Sequence, residues 1–455
     1  MTESDNTQDC IPGSNADKIP DGNAAVPSAE LGKDANDASA HVADIGNFRI
    51  SKRSSPHKKA KKKKEKKKRT TKQKVLRVLT IVLCTLLVLV VLFAVALVVL
   101  FKHYYGMLDY SELFSGEDTW VQQDISEEDD MTEEIDESLM ASDEEKDRYL
   151  EQIEQVGSGN FDPQIKKIGG SLGTVERNYA CEYISYNDDV INILLIGLDS
   201  RYNVNVGLSD VMMVVSICPS EKKIVLTSFL RDTYVNIPGY GANRLNAAYS
   251  LGGPSLLVET IEKNFGLRID RYATSNFFAF VEVADYIGKI RIYLNEKELS
   301  VLNDHIYWTN NILYKQNSNA YNKKKDRIEN KGAGYYELNG VQALAYARIR
   351  KIDNDFGRTN RQRTVMVALY NEVRDMSPVQ WNEVLKKILP MITTNLTESD
   401  ILKIMLNIGA YMKYDMVSIS VPPADNYRYM MIGNRAVIGV DINYVKQYLE
   451  ENIYG

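Results

Sequence analysis

The chain has 455 residues, with 55 Lys and Arg against 61 Asp and Glu, a formal net charge of −6. The charge is sorted into blocks: residues 51–77 hold fifteen Lys and Arg against Glu65, and residues 109–155 hold nineteen Asp and Glu against Lys146 and Arg148. Between them Val78–Phe101 runs 24 residues without a charge, which argues against a wholly soluble chain, and no second stretch of that length points to a multi-span transporter.

Residues 1–50 are rich in Ser, Asn, Asp, Ala and Gly, with almost no aromatics, so disorder is expected there. The basic run that follows completes a tail over residues 1–77. As a helix, Val78–Phe101 would be about 36 Å long, enough for a hydrocarbon core of about 30 Å with some tilt. The basic residues crowd its N-terminal side, which predicts a cytoplasmic N-terminus and an extracellular C-terminal part. A cleaved signal peptide is the rival reading. The apolar run and the tail before it are too long for one, and no small-residue cleavage site follows Phe101. An uncleaved signal anchor in the cell membrane is therefore expected. The basic run has the look of a nucleic-acid patch, but its place beside the span suits anionic membrane lipid better. No nucleic-acid partner is expected.

Residues 102–177 read as an acidic, self-repelling stalk, with a helix near Glu144–Gln155. From residue 178 to 455 the texture is globular. Ile191–Leu198, Val211–Ile217, Lys223–Leu230 and Met416–Val421 are short apolar runs typical of strands buried on both faces. Ser255–Phe265, Thr359–Val373, Val379–Leu389, Ile401–Ala410 and Asn443–Asn452 carry helical spacing. The expected fold is α/β, an αβα sandwich around a central mixed sheet, preceded by one transmembrane helix. The polar stretch around His305 reads as an insertion loop. Cys181 and Cys218 show no metal spacing; a bridge between them is one option and two small buried hydrophobes the other.

Chemistry is narrowed first by what is missing. Only His305 lies securely in the globular part, and there is no G-x-S-x-G elbow, P-loop or G-x-G-x-x-G. Acyl transfer, zinc hydrolysis and nucleotide use are thereby disfavoured. What remains is acids and arginines at strand ends. Asp199 and Arg201 follow the first strand and Asp210 begins the second; antiparallel pairing would bring both carboxylates to one edge, where hard oxygen ligands suit Mg²⁺ or Mn²⁺. Arg231 and Asp232 close the third strand. Each of these aspartates alone is a weak signal, since an Asp at a strand end usually caps a turn. Arg348 and Arg350, two apart, share a face only if extended. Thr359 and Gln362 fit a capping box that would start a helix with Arg358 at its mouth and Arg361 in its first turn. Several guanidiniums around a helix N-terminus make an anion site of phosphate type.

The series LLIGLDSR, GLSDVMMV, LTSFLRDTYVNIPGYG, RLNAAYSLGGP and LNGVQALAYARIRKIDNDFGRTNRQR resembles the extracellular domain of the LytR-CpsA-Psr family, over roughly residues 188–375. These are membrane-anchored cell-wall ligases of mainly Gram-positive bacteria. The resemblance implies that Asp199 and Asp210 hold Mg²⁺ near the pyrophosphate of a polyprenyl-linked glycan donor. It implies catalytic roles for Arg231, Asp232, Arg348 and Arg350, and substrate contacts by Arg201, Arg244, Asp355, Arg358, Arg361 and Gln362. It also implies an apolar pocket for the polyprenyl chain, lined from Ser255–Phe265 and Phe277–Val283, where ordinary core packing explains single residues equally well.

Three positions depart from the family pattern: Leu208 stands where Arg is usual, Arg244 where Lys is common, and Gly288-Lys289-Ile290 replaces a Gly-Gly-Val turn. The implied reaction is transfer of an anionic glycopolymer such as teichoic acid or capsule to peptidoglycan, with release of polyprenyl phosphate. A polyprenyl-phosphate-binding regulator and a pyrophosphatase acting on the same lipid are the alternatives.

Overall fold

The computed structural model describes residues 137–158, 167–168, 172, 175–177, 179–185, 187–199, 208–350 and 352–455, together with Val99, Lys102, Gly106 and Asp109–Tyr110. Apart from Val99, the expected span and the tail before it lie outside the described residues, and so does Arg201. Among the described residues no helix is long and apolar enough to cross a membrane.

The elements in chain order are α1 (Asp143–Ser158), β1 (Ile191–Leu198), β2 (Ser209–Cys218), β3 (Lys223–Phe229), β4 (Tyr234–Ile237), β5 (Gly241–Arg244) and α2 (Ala247–Phe265). They continue with β6 (Arg271–Asn276), α3 (Phe277–Ile287), β7 (Ile290–Leu294), α4 (Glu296–Gln316), β8 (Gly334–Leu338), α5 (Gly340–Ala347), α6 (Asp355–Arg374) and α7 (Pro378–Ile388). The last are β9 (Thr393–Thr394), α8 (Glu398–Tyr411), β10 (Asp415–Val421), β11 (Arg428–Ile432), β12 (Arg435–Gly439) and α9 (Ile442–Ile453). A seven-stranded sheet runs in the order Asp109–Tyr110, β9, β6, β1, β2, β3, β10. It is mixed: β1 pairs antiparallel with β2 and parallel with β6, and β3 pairs antiparallel with β2 and parallel with β10.

Alternation along the strands divides the core. Leu194, Ile196, Leu198, Met212 and Val214 face a layer made by α1, α2 and α9, where Leu257, Val258, Ile261, Phe265, Val445 and Leu449 have no exposed surface. Each such side chain contributes about 1.5–3 kcal/mol by leaving water. On the other face Ile193 and Val215 meet Tyr411 and Ile404 of α8, while the neighbouring odd positions open toward α3 and α6. A second cluster is built on the β7–β8 ribbon with α4, α5 and α6. The expected α/β class and helix-flanked mixed sheet are therefore observed. Inside α2 the backbone breaks at Gly252 and Gly253, and Pro254 opens the second segment, where its missing N–H costs nothing.

Three expectations change, and the question left open for the two cysteines closes on the side of small buried hydrophobes. The stretch assigned to a stalk contributes to the domain: Asp109–Tyr110 pairs with β9, and α1 buries Tyr149 and Ile153. Its acidic first turn suits a helix N-terminus, and the spacing of Tyr149, Ile153 and Val156 was hidden by the surrounding charge. The insertion loop around His305 is the helix α4, started by an Asn295–Glu298 capping box. The helix expected at Thr359 begins at Asp355, because Asn354 caps it by accepting from the Gly357 N–H. Cys181 and Cys218 are both free and buried.

Candidate functional site

A cavity of about 490 Å³ opens at the carboxyl end of β1. Asp199, Asp210, Arg348, Arg350, Arg358 and Gln362 line it. Antiparallel pairing does bring the two aspartates to one edge. The Asp199 N–H donates to the Leu208 carbonyl at 3.1 Å, closing the strand pair, and Asp210 lies two residues beyond. The Leu208 side chain is half-buried and is not part of the cavity wall.

The two central arginines meet the condition set by their spacing in an unexpected way. Helix α5 ends at Ala347, Arg348 is its C-cap, and Ile349 between the arginines is buried with no exposed surface. Ile349 turns to the core while Arg348 and Arg350 both face the cavity. Arg348 reaches Asp199 at 3.6 Å and stacks 4.4 Å above the Phe277 ring; Arg350 reaches Asp210 at 3.4 Å.

Behind this wall is a second tier. Arg231 pairs with Asp210 and Asp232 at 3.3 Å and with Asp355 at 3.6 Å, Arg244 with Asp232 at 3.2 Å, and Arg358 with Asp355 at 2.9 Å. Asp232 thus orients two guanidiniums and is not on the cavity wall. Burial alone would raise the Asp210 carboxyl, but Arg358, Arg231, Arg350 and Arg348 outweigh it and hold Asp210 well below the usual carboxylate range. Asp355 goes the other way: burial raises it against the pull of Arg358 and Arg231.

Arg361 does not join the substrate-facing set. Its guanidinium is buried, donates to both oxygens of Asp353 at 2.6 and 2.7 Å, and donates to the Ile349 carbonyl at 2.9 Å. It pins the turn that carries Arg348 and Arg350. Conversely, α4 brings His305, Trp308, Asn311 and Lys315 to the cavity, none of which the sequence singled out as site residues. Burial, then Arg348 and Arg361, push the His305 imidazole down to about 4. The signal that would have found these residues was their helical spacing, masked by a polar composition.

The donor set suits a hard divalent cation. Two carboxylates from adjacent strand ends share one cavity, and Mg²⁺ is usually bound by one or two carboxylates with water and ligand phosphates completing its shell. Among the described residues no group of three or more His, Cys, Asp or Glu is arranged to hold an ion unaided. A bound ion here would share its coordination with the ligand.

The cavity continues into an apolar one of about 240 Å³, lined by Leu195, Met213, Phe280, Val283, Met366 and Leu369 among others. Val211, Phe277, Leu344, Ala347 and Gln362 belong to both. One face of α6 spans the junction: Arg358 and Gln362 on the polar side, then Val365, Met366 and Leu369. Helix α2, expected beside this pocket, packs on the opposite face of the sheet, whereas Phe277, Phe280 and Val283 do line it.

The sequence pattern of the LytR_cpsA_psr family matches residues 161–451. The chain belongs to the LytR-CpsA-Psr family. Its relatives include regulatory protein MsrR of Staphylococcus aureus (strain COL), 33% identical over 53% of this chain and 67% of that protein. The polyisoprenyl-teichoic acid–peptidoglycan teichoic acid transferase TagU of Enterococcus faecalis is 30% identical over 53% of this chain and 73% of its own length. Among solved structures, TagT of B. subtilis aligns with a TM-score of 0.46 and 22% identity, covering 60% of this chain and 94% of that one.

Proposed function

We propose that this family member transfers an anionic glycopolymer from a polyprenyl-diphosphate carrier to peptidoglycan. The observation that carries this reading is the junction of the two cavities. A cationic chamber that continues into an apolar one suits an amphiphile with an anionic head, and a lipid diphosphate is such a ligand. The name of the Enterococcus relative supports the same reaction class. The proposed setting is the outer membrane face, with Val78–Phe101 as anchor, the N-terminus in the cytoplasm, and membrane lipid beside the basic tail.

In the reaction a sugar hydroxyl of peptidoglycan attacks the glycan-side phosphorus of the diphosphate. A new P–O bond forms, the bond to the bridging oxygen breaks, polyprenyl phosphate leaves, and the hydroxyl proton passes to solvent. Phosphoryl transfer of this kind needs positioning and charge neutralisation more than covalent help. Arg348, Arg350 and Arg358 would grip the diphosphate oxygens, with Gln362 donating at the junction. Arg231, Asp232, Arg244 and Asp355 hold those groups from behind. Asp199 and Asp210 would hold Mg²⁺ or Mn²⁺, which supplies positive charge against the same oxygens. This division of labour explains how the site could work without a histidine nucleophile or a serine triad.

The test follows polyprenyl phosphate release by the full-length protein in detergent, with Mg²⁺ and a lipid-linked glycan donor, with and without a peptidoglycan oligomer. Release that requires the oligomer, and is lost in Asp199→Asn and Asp210→Asn, is the expected result. Release without the oligomer would make the protein a pyrophosphatase. Donor binding without release would favour the regulator reading, for which the name of the MsrR relative is the supporting observation.

A further inference from the structure

Helix α4 turns two rows of side chains to the polar cavity. His305, Thr309 and Ile312, spaced i, i+4, i+7, form the inner row, with Thr309 only 1% exposed. Trp308, Asn311 and Lys315, spaced i, i+3, i+7, form the outer row along the rim. The inner row is what packing and a small anionic head require. The outer row is not: Trp308 is 61% exposed, although Trp is on average a highly buried residue type.

The Trp308 ring has an aromatic neighbour. Tyr307 meets it edge-on, with centroids 5.7 Å apart and planes at 74°. An exposed indole beside a row of hydrogen-bonding groups matches one ligand chemistry well. A pyranose ring has an apolar C–H face that covers an aromatic ring and a polar edge that seeks partners. The Asn311 amide both donates and accepts, and the Lys315 ammonium offers three donors and a positive charge.

We infer that the outer row of α4 is a carbohydrate subsite, in which the Trp308 indole stacks on a hexopyranose unit next to the diphosphate, with Asn311 and Lys315 at that sugar's polar edge. This rests on the diphosphate reading of the cavity and adds to it the part of the ligand that the arginines do not touch. The sugar belongs either to the donor or to the acceptor, and the experiment separates the two. Lys315 further favours a glycan that carries negative charge.

The experiment measures binding of two lipids to the full-length protein in detergent micelles: undecaprenyl diphosphate and undecaprenyl-diphosphoryl-N-acetylglucosamine. Trp308→Ala is compared with Trp308→Phe and with the unaltered chain, and the melting temperature of each is recorded. The expected result is a loss of at least tenfold in affinity for the sugar-bearing lipid in Trp308→Ala, with plain undecaprenyl diphosphate unchanged and Trp308→Phe largely retaining affinity. Unchanged lipid affinities with a tenfold higher KM for a peptidoglycan oligomer would assign the stacked sugar to the acceptor and still support the subsite. Equal losses for both lipids would mean that Trp308 touches lipid or micelle, and would overturn it. So would unchanged lipid affinities with an unchanged KM. If the unaltered chain binds neither lipid, the diphosphate reading itself falls and the subsite with it, an outcome visible without any variant.

Discussion

Two groups of arginines and carboxylates, one at the end of α2 and one at the carboxyl end of β1, differ in how they are satisfied. At the end of α2, Glu262 accepts two guanidinium bonds from Arg177 at 2.7 and 2.9 Å, Tyr179 and Tyr183 hydroxyls at 2.6 and 2.9 Å, and the Ile269 N–H at 2.8 Å. Neither the Arg177 nor the Glu262 side chain is more than 1% exposed. In the cavity, Arg348 and Arg350 reach their aspartates at 3.6 and 3.4 Å with a quarter of each side chain open to solvent. Short, buried contacts on a carboxylate with five donors mark a pair whose partner is the fold. Long contacts and surplus positive charge mark groups arranged for a ligand that brings its own oxygens.

The comparison breaks most sharply at Glu262. Glu262→Ala leaves Arg177 buried without its partner and is expected to cost about 3–5 kcal/mol in urea unfolding. A loss below about 1 kcal/mol would erase the distinction between the two groups. Arg348→Ala is expected to lower transfer about 10²–10³-fold, the range seen when one preorganised donor is removed, while the unfolding midpoint stays level or rises. Unchanged turnover would remove Arg348 from the site.

Arg361 sharpens the contrast, since it lies close to the cavity yet bonds like Arg177. Arg361→Gln is expected to cost about 1.5–3 kcal/mol of stability, and any loss of donor affinity is expected only together with that loss, through the loosened turn that carries Arg348 and Arg350. A selective collapse of donor affinity at unchanged stability would return Arg361 to the ligand-binding set.

The smallest effect concerns His305. Burial, Arg348, Arg361 and Arg350 lower its pKa, Asp304 opposes them, and the result is about 4 against an ordinary 6.5. The folded state therefore binds this proton less tightly than the unfolded chain. Its contribution to stability is intact above pH 6.5 and declines as pH falls toward 4. Thermal melts of His305→Gln across that window should show a shallower acid-side decline; an unaltered slope would refute the assignment.

Much of the scaffold was legible because its signals are local. INILLIGL, VMMVVSI and KIVLTSFL are apolar runs whose strand character needs no knowledge of neighbours. Strand β6 (RYATSN) was invisible because its partners are distant: Asn395 accepts from the Tyr272 N–H and the Thr394 hydroxyl donates to the Tyr272 carbonyl. Helix α4 was missed because its apolar stripe, Leu299, Leu302, Ile306 and Leu313, is diluted by Asn, Lys and Tyr. At the cavity, the convergence of Asp199 with Asp210 and of Arg348 with Arg350 was readable from their places in the chain. The turn-pinning role of Arg361 was not, since it depends on where Asp353 falls in a capped loop.

The pairing of Asp109–Tyr110 with Thr393–Thr394 bears on reach. With Val78–Phe101 as the proposed anchor, only residues 102–108 separate its last residue from the sheet's edge strand. Seven residues span at most about 25 Å when fully extended. The domain would then ride on a short leash. A carrier lipid whose tail stays in the bilayer could then be met without the domain bending back to find it.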